Sequence, residues 1–294
     1  MRISQRISSV RQHQDKGFIA IAAIAFAGLV MAMSIEFATI VRLNNLRAAN
    51  AIHGFRVQQI ADGMARLAAW RLANGQIPPM NGEPVLCQWR NSAAVEMKIQ
   101  DLGGLIDLNL ASETLLRDVF VAAGEPENRA STIAQNIIDY RDPDQQRPSG
   151  GAEAPTVSGL PMKNAPYETV EELDSAAGLD DKTYRAAKTV FTPFSYQSTI
   201  DPETAPASLR KLMSEPASGP FTGKLAAYAG VSQKRTFLLT VKAQLKGGQR
   251  FERIATVNVL RQPGRPYVFL TWNDGPNEGN ATADVPSMPP CFTE

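Results

Sequence analysis

This chain has few of the residues from which most catalytic and metal sites are built. Its 294 residues include two histidines and two cysteines. His13 stands in a basic leader and His53 in a helix-like stretch, which removes most routes to a His-based triad or a zinc site. No nucleophile beside a base and no Gly-rich phosphate loop is legible, so no catalysis is expected. Net charge is also missing. The 30 Lys and Arg against 29 Asp and Glu give no overall nucleic-acid signature. Proline is absent before Pro78, so nothing obliges an early helix to break.

An apolar run near the N-terminus is the strongest positive feature. Lys16-Gly17-Phe18 opens onto Ile19 to Ile35, without a charge until Glu36. Counted from Phe18 the run is 18 residues, roughly 27 Å of helix at about 1.5 Å per residue, close to a bilayer's hydrocarbon core. Arg2, Arg6, Arg11 and Lys16 precede it. The positive-inside rule therefore puts the N-terminus in the cytoplasm and the rest of the chain beyond a single-pass anchor. A secretory signal carries its small cleavage residues after the apolar stretch. Here Gly17 comes before it, so a cut there leaves the anchor on the mature chain. That order resembles a class III prepilin leader, with Phe18 as the new N-terminus; an ordinary signal anchor is the alternative. Cys87 and Cys291 lie beyond the anchor, where an oxidising compartment would allow a disulfide between them; two free, buried thiols are the alternative.

After Glu36 the helical pattern continues. Leu43, Leu46, Ile52, Val57, Ile60, Met64, Leu67 and Leu72 follow one face, and Asn74-Gly75 makes a stop. One helix from Phe18 to Ala73 is expected, although Gly54 and Gly63 leave room for two. Pro78 to Gly82 reads as a linker. Val95 to Gln100 alternates like a half-buried strand, as does Leu239 to Leu245. Gly247-Gly248 makes a turn, and Ile254–Leu260 and Tyr267–Trp272 read as further strands. Between these, residues 101–214 are helical. Ser112 caps a helix running to Ala123, and Pro126 starts one with Ala130, Ile133, Ala134, Ile137 and Ile138 on its apolar face. Thr169 and Glu172 form a capping box before Leu173, and a last helix covers Ala207 to Met213. From Ile99 to Met213, 10 basic residues stand against 18 acidic, a net of −8, which favours cations or basic partner surfaces.

Asp101-Leu-Gly-Gly104-Leu-Ile-Asp107-Leu-Asn109-Leu-Ala111-Ser112 leads from a strand into a capped helix and returns in degenerate form as Ile200-Asp-Pro-Glu-Thr204-Ala-Pro206. Asp139-Tyr-Arg-Asp142-Pro-Asp144, Gly150-Gly-Ala-Glu153, Asn164-Ala-Pro166 and Glu171-Glu-Leu173 stand between them. With the leader and the closing strands, this ordered series resembles protein K of the type II general secretion pathway, the large minor pseudopilin. The resemblance implies an α+β, pilin-like fold: a long N-terminal helix on a small antiparallel sheet, with a large helical domain inserted after the first strand. The corresponding parts are a leader at 1–17, the helix at 18–77, a pilin-like domain at 78–100 and 215–294, and an acidic insert at 101–214.

The resemblance also implies cleavage between Gly17 and Phe18 by a prepilin peptidase, with N-methylation of Phe18. The chain would sit in a bacterial inner membrane with its globular part in the periplasm. It would join other minor pseudopilins and the inner-membrane secretion platform at the filament tip and help to start assembly for protein export. Ala22 stands where most pilins carry the fifth-residue Glu, an acid that K subunits lack. Calcium is implied for the insert, with Asp139, Asp142, Asp144 and Glu153 as the oxygen donors; an exposed acidic turn is the alternative. A minor pilin of a type IV pilus or competence system is the alternative function. Ile106 to Ser112 with Leu173 to Leu179 is similar to a helix-hairpin-helix DNA module. However, Asp180 and Asp181 stand where a phosphate would approach, so no nucleic acid is expected.

Overall fold

The computed structural model describes residues 4–76, 80–90, 92–143, 163–176, 178–214, 224–276 and 288–291. Helix α1 (Ser4–Ala73) is continuous and begins inside the leader, earlier than the Phe18 start expected from the sequence. Neither Gly54 nor Gly63 breaks it, because the absence of proline leaves every i→i−4 bond available. It stops at Gly75 (φ 75°), where Gln76 N–H turns back to the carbonyl of Arg71.

The chain divides into two compact units within α1, Met1–Arg56 and Val57–Glu294. In the first, the large apolar side chains from Phe18 to Phe55 are solvent-exposed. The Phe18–Ala73 stretch is long and apolar enough to cross a membrane.

In the second unit the end of α1 packs on a sheet. Strands β1 (Asn81–Trp89) and β2 (Ala93–Asp101) form an antiparallel pair. The insert follows, with β3 (Ile106–Asp107), α2 (Glu113–Ala122), α3 (Glu127–Arg141), α4 (Leu173–Ala176), α5 (Asp181–Ala187), β4 (Phe191–Thr192) and α6 (Ala207–Ser214). Strands β5 (Thr236–Leu245), β6 (Arg250–Gln262) and β7 (Arg265–Asp274) complete an antiparallel sheet of order β1-β2-β5-β6-β7. The insert therefore leaves after the second strand, because Asn81–Trp89 is an earlier strand at the sheet edge. Pro84 hid it from sequence reading. Pro84 lies at a register irregularity of the edge strand, a position that tolerates a missing N–H.

Two cores result. Val57, Ala61, Met64, Ala65, Ala68, Ala69 and Leu72 of α1 are buried against the inward faces of β2 and β5, and the alanines let the helix lie close. The insert has its own core around Leu108, Leu116, Phe120, Ile137, Leu173 and Leu209. The tail returns to the β1 edge. Gln88 N–H donates to the Pro289 carbonyl at 2.8 Å, Cys291 N–H donates to the Gln88 carbonyl at 3.2 Å, and Cys87 and Cys291 form a disulfide.

One buried ion pair fixes α1 to the sheet. Arg253 of β6 donates from Nε to Asp62 Oδ1 at 2.6 Å and from Nη1 to Asp274 Oδ1 at 2.5 Å. Its guanidinium also stacks 4.8 Å from the Trp272 ring centroid, and Arg66 of α1 stacks on the same ring. Truncating Asp62 leaves a buried cation with only its more exposed partner. Asp62→Ala should therefore cost about 3 kcal/mol in chemical unfolding, with Asp62→Ala/Arg253→Met less damaged than the single variant.

Candidate functional site

The candidate cleavage pair, Gly17 and Phe18, sits within the uninterrupted backbone of α1, and the Phe18 side chain is exposed. Of the candidate cation ligands, Asp139 is buried in the last turn of α3 and Asp142 is its C-cap. Neither is free: each is engaged by a neighbouring group. Asp144 and Glu153 lie outside the described residues. Among the described residues, no group of three or more His, Cys, Asp or Glu side chains converges as a metal centre needs. The two described donors are hard oxygens at the C-terminal end of a helix, where the backbone dipole favours a cation, so the residue types fit calcium.

A better-defined site lies where the insert joins the sheet, built from the motif Asp101 to Asn109. Asp101 ends β2 with no exposed surface and accepts from Gly103 N–H and Ser232 Oγ, both at 2.9 Å. Asp201, in the degenerate repeat, accepts from Ser232 N–H at 2.9 Å, so one serine bridges two buried carboxylates. The Gln100 amide donates to the Thr204 carbonyl at 2.8 Å, and Gln197 donates to Gly103 at 3.0 Å. A Cβ on Gly104 would fall 2.5 Å from the Thr204 carbonyl, so the motif's second glycine is required by the close approach of two backbones.

The motif and its repeat are alike in three dimensions. Ile106 and Ile200 are both buried and both start a strand pairing. Asp107 and Asp201 each accept from the backbone two residues on. Ala111 and Ala205 each donate back to the aspartate's carbonyl at 2.9 Å. Helices α2 and α6 then begin at the same offset. Asp107 also accepts from Ser195 Oγ and Tyr196 N–H, Asn109 holds Tyr167 at both its N–H and carbonyl, and Arg141 donates to the carbonyls of Leu108 and Ala111. Sequence reading marked the aspartates and missed Gln100, Gln197 and Ser232. Their partners lie far along the chain, and no local signal marks them.

The caps follow the sequence. Ser112 Oγ accepts from Leu115 N–H, and Glu172 Oε1 accepts from Thr169 N–H at 2.9 Å. Burial opposes ionisation of Glu172. Lys163 Nζ at 2.9 Å and two backbone donors outweigh it and hold the carboxyl below its ordinary value. The opposite holds at the joint. Burial, reinforced by nearby Asp201, outweighs the two donors of Asp101 and raises its carboxyl above the ordinary value of 3.8. A group whose folded value is raised contributes stability in full below its unfolded value and loses it as pH rises through the folded one. Asp101→Asn should therefore flatten the decline in stability on going upward from about pH 4, read as melting temperature against pH. An unchanged pH profile would mean that Asp101 is ionised in the folded chain.

Residues 100–192 match the family model for the type II secretion system (T2SS), protein K. No curated protein matches the chain by sequence. Among solved structures, a chain of the GspK-GspI-GspJ complex from the enterotoxigenic Escherichia coli type 2 secretion system is similar, with a TM-score of 0.58 at 15% identity. The alignment covers 79% of this chain and 99% of that one, and at such low identity it speaks for the fold. Residues 100–192 thus resemble protein K of the type II secretion system, and the chain shares its fold with a chain of the solved complex.

Proposed function

We propose that this chain is a minor pseudopilin of a type II secretion system, a structural subunit with no catalysis of its own. The observation that carries this reading is the matched K-type segment lying between β2 and β5 of a pilin-like helix-and-sheet scaffold. The solved complex joins GspK with GspI and GspJ, and we take equivalent minor pseudopilins as the partners here. The single apolar helix supports a membrane anchor. We read it as an inner-membrane anchor with the globular part in the periplasm, delivered to the inner-membrane secretion platform after cleavage by the prepilin peptidase.

A tip position follows from charge. In a pilin stack, the fifth-residue carboxylate of one subunit answers the free N-terminal amine of the subunit above. An unanswered ion in lipid is costly, so the match acts as an assembly signal. Ala22 brings no carboxylate and needs no subunit above it, whereas the Phe18 amine remains available to one below. Helix α4 lies within the Leu173 to Leu179 part of the helix-hairpin-helix resemblance, and α5 follows it. Asp180, however, accepts from Lys182 N–H and Thr183 N–H and so occupies the helix N-terminus that a phosphate would use, which argues against the DNA-binding competence reading.

Two measurements test the finer reading. Intact-mass analysis of membrane-extracted protein should show loss of residues 1–17 and one added methyl group on Phe18; a mature chain starting at Met1 would contradict it. We also propose calcium in the insert, held by Asp139, Asp142, Asp144 and Glu153. Millimolar Ca²⁺ should then raise the melting temperature, and Asp142→Ala/Asp144→Ala should abolish the rise. An equal response in both proteins would rule out this ligand set.

A further inference from the structure

One rim of the sheet collects positive charge that the subunit reading does not use. The loop ahead of β5 carries Lys234 and Arg235, and the hairpin between β6 and β7 carries Arg261 and Arg265. The two segments are adjacent: Val259 N–H donates to the Arg235 carbonyl at 2.7 Å, and Gln262 pairs with Arg265. None of the four cations makes an ion pair with a described residue.

Two aromatic and apolar groups complete the rim. Tyr196 is 44% exposed, with the Arg235 guanidinium 5.6 Å from its ring centroid, and Val231 is 84% exposed. The presenting loop is rigidly held, since Ser232 bonds to Asp101 and Asp201 and Lys234 N–H donates to Ser232 Oγ at 2.9 Å. Backbone strain gathers here as well. Tyr196 (φ 56°), Lys234 (φ 48°) and Arg261 (φ 52°) are left-handed, a strained conformation for such residues that persists where the surroundings impose it.

We propose that this rim is a docking surface for an acidic protein partner, one that presents clustered carboxylates around a small apolar contact. Three of the four cations are arginines, whose planar fork pairs carboxylates bidentately. Arginine and tyrosine are also among the residues most enriched at the energetic centres of protein interfaces. A membrane surface or nucleic acid would call for a broader and lysine-tolerant field, without an exposed valine on the same loop. The surface goes beyond the secretion reading and does not depend on it.

The test places a photo-crosslinking residue at position 231 of the full chain in membranes of cells that express its natural partners. The crosslinked peptide is then identified by mass spectrometry, with and without Arg235→Glu/Arg261→Glu/Arg265→Glu. The expected product is a protein segment rich in Asp and Glu. Its yield should fall about tenfold or more in the reversed variant, and replacing the captured carboxylates by Lys should restore it. The melting temperature should be unchanged, because these side chains are exposed. If the triple variant is destabilised, Arg265→Glu alone, at the exposed start of β7, should still lower the yield. Capture of lipid or nucleic acid, no capture, or a yield that charge reversal leaves unaltered would overturn the proposal.

Discussion

The second unit depends on one close approach, that of the Gly103-Gly104 turn to the Ile200–Ala205 turn. The chain leaves the sheet at Asp101 and comes back beside it: Asp101 and Phe237 are neighbours across the β2–β5 ladder, and Ser232 Oγ bonds Asp101 from 131 positions away. The insert is therefore a very long hairpin loop between two adjacent strands. Lengthening a tight turn to that extent costs only about 3 kcal/mol of closure entropy, provided the two ends are held together. Side chains beyond glycine would push the backbones apart at Gly104, and the bonds from Gln100, Gln197 and Ser232 would go with them.

That geometry explains why the polar residues of the motif are internal. Of the 18 acidic residues counted between Ile99 and Met213, Asp101, Asp107, Asp118, Asp139 and Asp201 are buried. Several of these aspartates accept backbone N–H groups that would otherwise be orphaned in turns, which is structural work.

What was legible in the sequence was whatever local chemistry decides. Alternation in β5 and the caps at Ser112 and Thr169–Glu172 each need only a few neighbouring residues, and they appear as read. The stop at Asn74-Gly75 is of the same kind. Strand β1 was not legible: at the edge, four successive residues from Glu83 to Leu86 are exposed, so it shows no inside–outside alternation, and Pro84 argues against a strand. Nor were β3 and β4, two residues each, which exist because the repeat turns bring Ile106 beside Phe191. The candidate site divides in the same way. Its aspartates stood out as a motif, while the glutamines and the serine that hold them became visible only in the folded chain.

The first unit poses a different physical problem. Its exposed large apolar residues run from Phe18 to Phe55, about 57 Å of helix at the usual rise. A bilayer's hydrocarbon core covers only about 20 residues. Lipid can therefore account for the stretch to about Ile35 but not for Phe37, Ile40, Val41, Leu43, Leu46, Ile52 and Phe55, which share the rest of the unit with Arg42, Arg47 and Arg56. An apolar face of that length beyond the membrane needs protein to cover it. A bundle of like helices, as the proposed filament supplies, meets that need and leaves the arginines to face solvent or acidic neighbours. The same segment would then serve twice, as an anchor before assembly and as a packing surface after it, which fits the cut proposed ahead of the apolar run instead of behind it.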